Sequence, residues 1–455
     1  MSAKRRMHSW GRVTPVETEV RAPAWRSEIL SSGGSSGGSS GGSSGGSSGG
    51  ALPTPTLAYG LGRSYGDSCL LKEGTMIETR FLDRIMAFDE KTGLLRAEAG
   101  ISLNDILSFA VPRGWFLPTT PGTRYVTLGG AIANDIHGKN HHRAGCFGNH
   151  VPAFELLRSD GSRQLCRAGE AMHSATVGGL GLTGMITWAE LQLVPIRSAM
   201  LDVEYVRFDG VEEFLGLSEE SGKDWEHTVA WFDCLAVGSS LGRGIFMRGN
   251  WSDGESEGDS LTPHQPPRLS IPMDFPEIAL NQFSVKLFNF AYYHKMMGKR
   301  RSLRQHYSPF FHPLDAVNGW SRIYGKRGFF QYQSVTPFEA GAEPIEEMLK
   351  CIARSGQGSF LGVLKTFGDV PSPGMLSFPA PGVTLALDFA NQGGLTRMLF
   401  DELDEIVRQA KGRLYPAKDA RMSREDFERF YPRLDEFRQH VDAGFSSEFW
   451  QRMNC

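Results

Sequence analysis

The sequence lacks the features that mark membrane-spanning, disulfide-stabilised and nucleic-acid-binding chains. No run of about 18 apolar residues occurs, so no segment is predicted to span a bilayer. Lysine and arginine number 48 against 51 aspartate and glutamate, a net charge of -3 without the basic excess of a nucleic-acid-binding protein. Cysteine is scarce and scattered, with no Cys-x-x-Cys pair, which predicts buried free thiols and neither a disulfide framework nor a metal site. The six cysteines are Cys69, Cys146, Cys166, Cys234, Cys351 and Cys455.

The N-terminus carries basic residues at Lys4, Arg5 and Arg6, but no apolar stretch follows them, so no Sec signal peptide is predicted. We therefore expect a cytoplasmic or peripheral membrane location, with the periplasmic side left open. At 455 residues, 40% of them hydrophobic and 22% charged, the chain is typical of a globular protein with two or three folding units.

Glycine is abundant, with 54 residues. Residues 31–50 are five copies of Ser-Ser-Gly-Gly, and they are interpreted as a flexible linker that carries no function. The other glycines predict many tight turns or close contacts between backbone and ligand. We expect residues 1–30 and 51–196 to form one domain, 197–411 a second, and 412–455 a segment that returns to the first.

Local patterns predict short strands and few helices in residues 51–196, and a mixed domain built on a sheet after them. A helix is expected from Leu103, with Ser102 as its N-cap and Pro112 as its stop. In the second part, strand-like and helix-like runs alternate. The predicted strands are 228–234, 328–335 and 382–389, and the predicted helices are 343–354 and 396–410.

The segment from Tyr59 to Asp67 contains Gly60, Gly62 and Gly66, so its backbone N–H groups can turn inward and bind a pyrophosphate. It matches the Gly-x-Gly-x-x-Gly pattern only loosely, and no long amphipathic helix follows, so a Rossmann fold is not predicted. Alone, a plain glycine turn explains this segment about as often.

Two further segments, residues 121–140 and 176–186, combine glycines with small residues. Gly129 and Gly130 allow a flat ligand to lie against the backbone, and His137 and Lys139 add two groups that can carry positive charge beside it. A metal cluster of His137 with His141 and His142 is a weaker alternative, because no carboxylate or thiol pattern completes it.

In this order and spacing, the three segments resemble the two-subdomain FAD-binding fold of the vanillyl-alcohol-oxidase type. Residues 135–142, 230–233, 311–315, 330–333 and 412–419 are further similar to the family of flavin subunits of decaprenylphosphoryl-β-D-ribose 2-epimerases. The resemblance covers nearly the whole chain outside the linker. It implies an α+β fold class, in which that FAD-binding fold is joined to an α+β substrate domain on an antiparallel sheet.

The resemblance also implies site residues. The implied catalytic residues are Lys418, Tyr65, His137 and Gln333. The implied substrate-binding residues are Lys365, Gln331, Trp231, Arg322, Lys139 and Thr384. The implied cofactor-binding residues are Gly60, Leu61, Gly62, Arg63, Ser64, Tyr65, Gly66, Asp67, Gly122, Thr123, Thr127, Leu128, Gly129, Gly130, Asn134, Asp135, Ile136, His137, Ile186 and Tyr415.

Residue type alone leaves alternatives for several of these. Lys418 is otherwise a solvated charge, Lys365 can extend from its apolar strand to the surface, and Trp231 can simply fill the core. Gln331 and Gln333 share one strand-like run; we expect one to face away from the other, and we prefer Gln333.

The implied activity is FAD-dependent oxidation of the 2-hydroxyl of a polyprenyl-phospho-β-D-ribofuranose to the 2-keto sugar. A separate NAD(P)H-dependent ketoreductase would complete the epimerisation to the arabinose donor used in cell-wall arabinan synthesis. The alternatives are an oxygen-dependent oxidase of free sugars or aldonolactones, and a flavoprotein that binds FAD without catalysis.

Four departures from the family are visible. Thr384-Leu385-Ala386 stands where an Asn-x-Cys is usual, and Phe311 where a tyrosine is usual. Arg63 replaces the histidine that bonds the flavin in covalently flavinylated relatives, so non-covalent FAD is expected. The linker stands where a helix and a strand normally precede the first glycine loop. With the family cysteine absent, all six cysteines are expected outside the active site.

A lipid-linked substrate implies peripheral membrane contact. The aromatic run 283–293, followed by Lys295, Lys299, Arg300 and Arg301, has the composition of a segment that lies on an anionic bilayer. An ordinary core helix is the equally weighted alternative.

Overall fold

The computed structural model describes residues 3–30, 50–255, 259–267, 269–277 and 280–454. The predicted linker, apart from Gly50, and Cys455 lie outside the described residues. The strands are β1 (Ala3–Met7), β2 (Val16–Arg21), β3 (Thr56–Tyr59), β4 (Thr75–Glu78), β5 (Ile85–Asp89), β6 (Leu94–Glu98), β7 (Trp115–Phe116), β8 (Ala153–Leu157), β9 (Arg163–Arg167), β10 (Met185–Gln192), β11 (Val194–Pro195), β12 (Met200–Phe208), β13 (His227–Phe232), β14 (Gly244–Trp251), β15 (Leu269–Ser270), β16 (Arg300–His306), β17 (Val317–Asn318), β18 (Phe329–Thr336), β19 (Gly362–Phe367), β20 (Gly382–Ala390) and β21 (Arg413–Leu414).

Among the described residues, the longest α-helices all lie in the second part of the chain. They are α1 (Leu103–Ala110), α2 (Leu128–Ala133), α3 (His141–Ala144), α4 (Ala171–Thr176), α5 (Val211–Asp224), α6 (Gln282–His294), α7 (Tyr307–Phe311), α8 (Glu343–Ser355), α9 (Gly394–Gln409), α10 (Arg424–Phe430), α11 (Leu434–Arg438) and α12 (Glu448–Asn454). No helix among the described residues is long and apolar enough to cross a membrane.

Two sheets carry the glycine-rich segments. The first has the order β1-β2-β4-β3, with β2 and β3 both parallel to β4, and the second is the antiparallel sheet β5-β6-β10-β8-β9. Strand β3 leads directly into the first glycine loop. The expectation that the linker replaces the strand before this loop is therefore wrong, because the residues after the linker form that strand themselves.

An eight-stranded antiparallel sheet, in the order β16-β12-β14-β13-β19-β20-β18-β21, dominates the second part of the chain. Helices α5, α8 and α9 pack on one of its faces in one apolar cluster, which includes Phe214, Met348 and Leu403. Helix α8 buries Ile345, Leu349 and Ile352 at helical spacing, so one stripe of the helix faces the sheet. The opposite face of the sheet remains for a ligand.

The C-terminal segment joins the two parts. It begins as β21 at the edge of the large sheet and then crosses to the first sheet, where Phe445 forms an isolated bridge with Thr56. Near its end, the Arg452 guanidinium pairs with Asp67 of the first glycine loop at 3.1 Å.

The local predictions are largely confirmed. Helix α1 begins at Leu103, the Ser102 hydroxyl accepts from the Asp105 N–H at 3.1 Å, and the α-helix ends before a short turn that contains Pro112. The predicted strands and helices of the second part are β13, β18, β20, α8 and α9, within two residues at their ends. The fold class is α+β, as predicted.

Candidate active site

A large cavity lies between the glycine-rich segments and the open face of the eight-stranded sheet. Its atom-free space is about 2920 Å³ including the open mouth. Both halves of the chain contribute to its lining.

The first glycine loop forms one wall. A Cβ on Gly66 would lie 1.4 Å from the Asp419 carbonyl oxygen, so only glycine lets this loop approach the segment that carries Lys418. The Tyr65 N–H donates to the Ala417 carbonyl at 3.0 Å. Together these contacts set the Tyr65 ring beneath Lys418, whose Nζ lies 3.9 Å from the ring centroid.

The second and third glycine segments form the floor. Helix α2 begins after Thr127, whose hydroxyl accepts from the Gly130 N–H at 3.1 Å. The third segment docks on the end of this helix, because the Leu180 N–H donates to the Ala133 carbonyl at 2.8 Å. The Tyr415 hydroxyl donates to the Asn134 carbonyl at 2.8 Å and so ties the floor to the C-terminal segment.

The open face of the large sheet forms the opposite wall. Gln333, Ala386, Val363 and Trp231 lie directly opposite one another across β18, β20, β19 and β13. All four side chains line the cavity. Residues two apart share a face of a strand, so Gln331 and Lys365 line it as well.

The expectation that Gln331 and Gln333 face apart is wrong for that same reason, since their separation of two residues puts both on one face. Gln331 Nε2 donates to Asp388 at 2.6 Å, and Gln333 Nε2 donates to the Thr384 hydroxyl at 3.3 Å. Their partners on β20 are thus side chains of the same face.

His137 joins the floor to the sheet. Its Nε2 lies 3.1 Å from Gln333 Nε2, and its Nδ1 lies 3.0 Å from Lys365 Nζ. Lys365 also donates to the Gly138 carbonyl at 3.3 Å. Burial, together with the charges of Lys365, His141 and Lys418, holds the pKa of His137 well below its usual value, so the imidazole is neutral.

Half-buried Lys418 and buried Asp388 interact electrostatically at the edge of the sheet face. Burial lowers the pKa of Lys418 to about 7, and the negative charge of Asp388 opposes this shift. Burial also raises the pKa of Asp388 to about 6, opposed by the hydrogen bond from Gln331 and by Lys418. Lys418 can therefore exchange a proton near neutral pH.

Three lysines, Lys139, Lys365 and Lys418, line this one cavity. Burial lowers the pKa of Lys139 to about 8, and burial with the neighbouring lysines lowers that of Lys365 to about 7. Removing three amines from water in one cavity is unfavourable for their charged forms unless an anion neutralises them. This excess of cationic groups fits an anionic ligand such as a phosphate ester.

The structure brings most of the sequence-predicted site residues together in the cavity lining. These are Lys418, Tyr65, His137, Gln333, Lys365, Gln331, Trp231, Lys139, Gly60, Leu61, Gly62, Arg63, Ser64, Gly122, Thr123, Thr127, Gly129, Gly130, Asn134, Ile136, Ile186 and Tyr415.

Six predicted residues lie behind or outside the lining. Gly66, Asp67, Leu128, Asp135 and Thr384 are buried beneath it, where Asp67 pairs with Arg452 and Asp135 accepts from the Gly148 N–H and from Ser377. Arg322 lies outside, because its guanidinium donates to the carbonyls of Ile271 and Pro272 at 3.0 and 2.6 Å.

Some lining residues were missed from sequence. Ser68 directly follows the predicted loop, and Tyr292 and Phe360 extend the wall beside Trp231. Cys69 also lines the cavity, so the expectation that every cysteine lies outside it is wrong for this residue. Burial and the nearby Asp67 raise the pKa of the Cys69 thiol to about 12, which keeps it unreactive. No sequence pattern marks these positions.

The first glycine loop fits the pyrophosphate of FAD. Within the described ranges, the N–H groups of Leu61, Gly62 and Arg63 donate to no protein acceptor. The Ser68 hydroxyl, also in the lining, is buried without a protein partner. Donors in the wall of this cavity that have no protein acceptor are suited to a phosphate, whose oxygens accept several hydrogen bonds.

Comparisons with known proteins agree with this fit. Residues 51–167 match the family model of an FAD binding domain. The chain is 39% identical over 411 residues to decaprenylphosphoryl-β-D-ribose oxidase of Mycolicibacterium smegmatis, covering 87% of this chain and 88% of that protein. It is 34% identical over 356 residues to an uncharacterised protein in the mprA 5′ region of Streptomyces coelicolor, covering 74% and 94%. A D-lactate dehydrogenase of Anaerostipes hadrus matches at 22% identity over 155 residues, 32% of each chain.

Fold, cavity and comparisons together define an FAD-binding oxidoreductase with the two-subdomain architecture of the vanillyl-alcohol-oxidase type. More narrowly, the chain belongs to the family of decaprenylphosphoryl-β-D-ribose oxidases, as predicted from its motifs.

Proposed function

We propose that this protein oxidises the 2-hydroxyl of a polyprenyl-phospho-β-D-ribofuranose to the 2-keto sugar, as the first half of epimerisation to the arabinose donor for cell-wall arabinan synthesis. The observation that carries the proposal is the placement of Lys418, Gln331 and Gln333 around one cavity that two further, half-buried lysines also line. The coverage of the Mycolicibacterium smegmatis oxidase supports the same substrate class.

Lys418 is the proposed acceptor of the hydroxyl proton. Its lowered pKa makes the neutral amine available near pH 7, and a neutral amine can take a proton as the C2–H bond breaks. Bound FAD, held without a covalent link, supplies the acceptor for the C2 hydride. Tyr65, beneath Lys418, limits where its amine can lie and thus orients it toward the sugar.

Lys365 and Lys139 are the proposed partners of the substrate phosphate. Both are half-buried in the cavity wall, and Lys365 Nζ lies 3.0 Å from Nδ1 of His137, whose neutral imidazole can donate or accept a hydrogen bond without adding a third charge. Gln331 and Gln333 present amides from the same face of one strand, and an amide can both donate to and accept from a ribose hydroxyl. Trp231 and Tyr292, with ring centroids 4.5 Å apart, form an apolar wall for the first prenyl units.

The 2-keto product must receive a hydride on the opposite face to give the arabino epimer. We propose that a separate NAD(P)H-dependent ketoreductase consumes it, because the flavin site accepts hydride from the ribose. The remaining proposed roles are cofactor contacts of the glycine loops and support of Gln333 by Thr384.

The direct test is anaerobic mixing of the purified flavoprotein with a short-chain polyprenyl-phospho-ribofuranose, compared with free ribose and an aldonolactone. We expect the absorbance of oxidised flavin to disappear only when the lipid-linked sugar is added. Mass spectrometry should then find a sugar product that is two hydrogens lighter than the substrate. Equal bleaching by free sugars, with peroxide formed in air, would favour the free-sugar oxidase. No bleaching by any of them would favour a flavoprotein without catalysis.

A further inference from the structure

An exposed apolar stripe runs along helix α6. Phe283, Leu287 and Phe290 recur at helical spacing and are 75%, 57% and 54% exposed. The opposite stripe of the same helix is buried, at Val285 and Asn289 among others. The helix therefore has one side in the protein core and a second, apolar side exposed to solvent, which is a mark of an interaction surface.

Exposed basic residues lie close to this stripe in the chain. Lys286 lies within the helix, Lys295 directly follows it, and Arg301 lies at the start of β16. Of the ion pairs among the described residues, none involves these three side chains, whereas Lys299 nearby pairs with Glu213 at 2.7 Å. An apolar stripe bordered by unpaired cations is complementary to a surface that is apolar inside and anionic outside.

The same helix also reaches the active-site cavity. Phe288 and Tyr292 line the cavity, and Phe288 is 41% exposed. The rings of Trp231, Tyr292 and Phe288 follow one another at centroid distances of 4.5 and 5.9 Å. A continuous aromatic wall thus leads from the sheet face of the site to the exposed side of α6.

We propose that α6 docks on the surface of an anionic lipid bilayer, with Phe283, Leu287 and Phe290 inserted among the acyl chains and Lys286, Lys295 and Arg301 at the headgroups. The polyprenyl tail of the substrate then passes along Phe288 and Tyr292 and remains in the bilayer while the sugar occupies the cavity. This inference rests on the proposed function for the identity of the substrate, and on α6 and the basic residues near it for the membrane contact.

The test uses the FAD-loaded full chain and vesicles of phosphatidylcholine, alone or mixed in equal parts with phosphatidylglycerol. A triple variant, Phe283→Ser with Leu287→Ser and Phe290→Ser, removes the apolar stripe. A second variant, Lys286→Gln with Lys295→Gln and Arg301→Gln, removes the charges. The matched control replaces three exposed apolar residues of the FAD-binding half, Phe81→Ser with Met86→Ser and Leu165→Ser.

We expect wild type and control to float with the anionic vesicles and not with phosphatidylcholine alone, and both α6 variants to lose at least tenfold in bound fraction. Reduction of the flavin by a short-chain substrate in solution should stay unchanged in every variant. Oxidation of a long-chain substrate embedded in vesicles should fall only in the α6 variants.

Absence of wild-type binding to anionic vesicles overturns the inference, as does unchanged binding by both α6 variants. A wild-type dimer that the apolar variant dissociates, without vesicle binding, would assign the surface to a second copy of the chain and also overturns it. Failure of short-chain substrate to reduce the flavin, with vesicle binding intact, would contradict the proposed function and leave the membrane contact standing.

Discussion

At the scale of single residues, the site depends on lysine amines whose surroundings disfavour the charged form. Lys139, Lys365 and Lys418 share one cavity, and burial lowers the pKa of each. Each amine is thereby kept ready either to lose a proton or to bind an anion.

Replacing Lys418 tests the proposed proton acceptor. We expect Lys418→Ala to bind FAD normally and to lower the rate constant for flavin reduction by at least about 100-fold, the lower range of general acid–base effects. Stopped-flow absorbance measures the rate, with exposed Lys350→Ala as control. A near-normal rate in Lys418→Ala would remove this residue from the mechanism.

The pH dependence of flavin reduction tests the Lys418–Asp388 pair. If neutral Lys418 takes the proton, the rate constant rises as pH increases through about 7. The charge of Asp388 raises the pKa of Lys418, so Asp388→Asn should move the inflection to lower pH. A rate that falls across this range would instead make the charged amine the active form.

Lys365 should lower the free energy of unfolding, by an amount that depends on pH. Its pKa of about 7 in the folded protein lies below the usual 10.5, so folding favours the neutral amine and must release a proton at lower pH. We expect Lys365→Met to raise the free energy of unfolding of the FAD-free chain, with a gain that grows as pH falls from about 10 to about 7 and then stays level. Urea unfolding at a series of pH values measures it, and a gain independent of pH would contradict the burial of a titrating amine.

At the scale of elements, β20 differs from the usual family sequence in side-chain chemistry, while its residues keep their place on the cavity side of the sheet. Thr384, Ala386 and Asp388 all lie on the cavity side of the sheet, as period-two alternation predicts. Ala386 lines the cavity where the family cysteine is usual, so no thiol faces the sugar from this strand.

We expect wild-type activity to resist N-ethylmaleimide, because β20 carries no thiol and the nearest cavity cysteine, Cys69, has a pKa near 12. Ala386→Cys should become sensitive, with protection by substrate. Mass spectrometry locates the adduct. Substrate-protected loss of wild-type activity with an adduct on a native cysteine would contradict the placement of β20 or the inertness of Cys69.

The first glycine loop should hold the flavin without a covalent bond. Arg63 stands at the attachment position, its Nε donates to the Tyr125 carbonyl at 3.0 Å, and its guanidinium stacks on Trp10. A guanidinium held in this way is no nucleophile. We expect acid precipitation to leave all the yellow colour in the supernatant; colour that stays with the precipitated polypeptide would show a covalent link.

At the scale of the whole molecule, the sequence predicted the secondary-structure elements better than it predicted the tertiary contacts between them. The periodicity of apolar residues and the signals at helix ends predicted α1, β13, β20 and α9, because these signals depend on residues only a few positions apart. Lys418 belongs to no motif that can be recognised from residue spacing. Only the fold brings it over Tyr65, which lies 353 positions earlier in the chain. The family resemblance implied in advance that both residues are catalytic, since relatives share the fold.

The failures have the same origin. Arg322 has the charge of a phosphate ligand, but the segment that contains Ile271 and Pro272 satisfies its guanidinium outside the cavity. Ser68 and Cys69 reach the lining because the chain turns after the first loop, and no composition rule places that turn. Local patterns contain no information on such long-range contacts.

The central claim is that hydride leaves C2 of a lipid-linked ribose in this cavity, and substrate deuterated at that carbon tests it most directly. Anaerobic flavin reduction by polyprenyl-phospho-ribofuranose with deuterium at C2 should be slowed severalfold relative to the unlabelled sugar, while deuterium at C3 should leave the rate unchanged. An isotope effect from C3 and none from C2 would contradict the account.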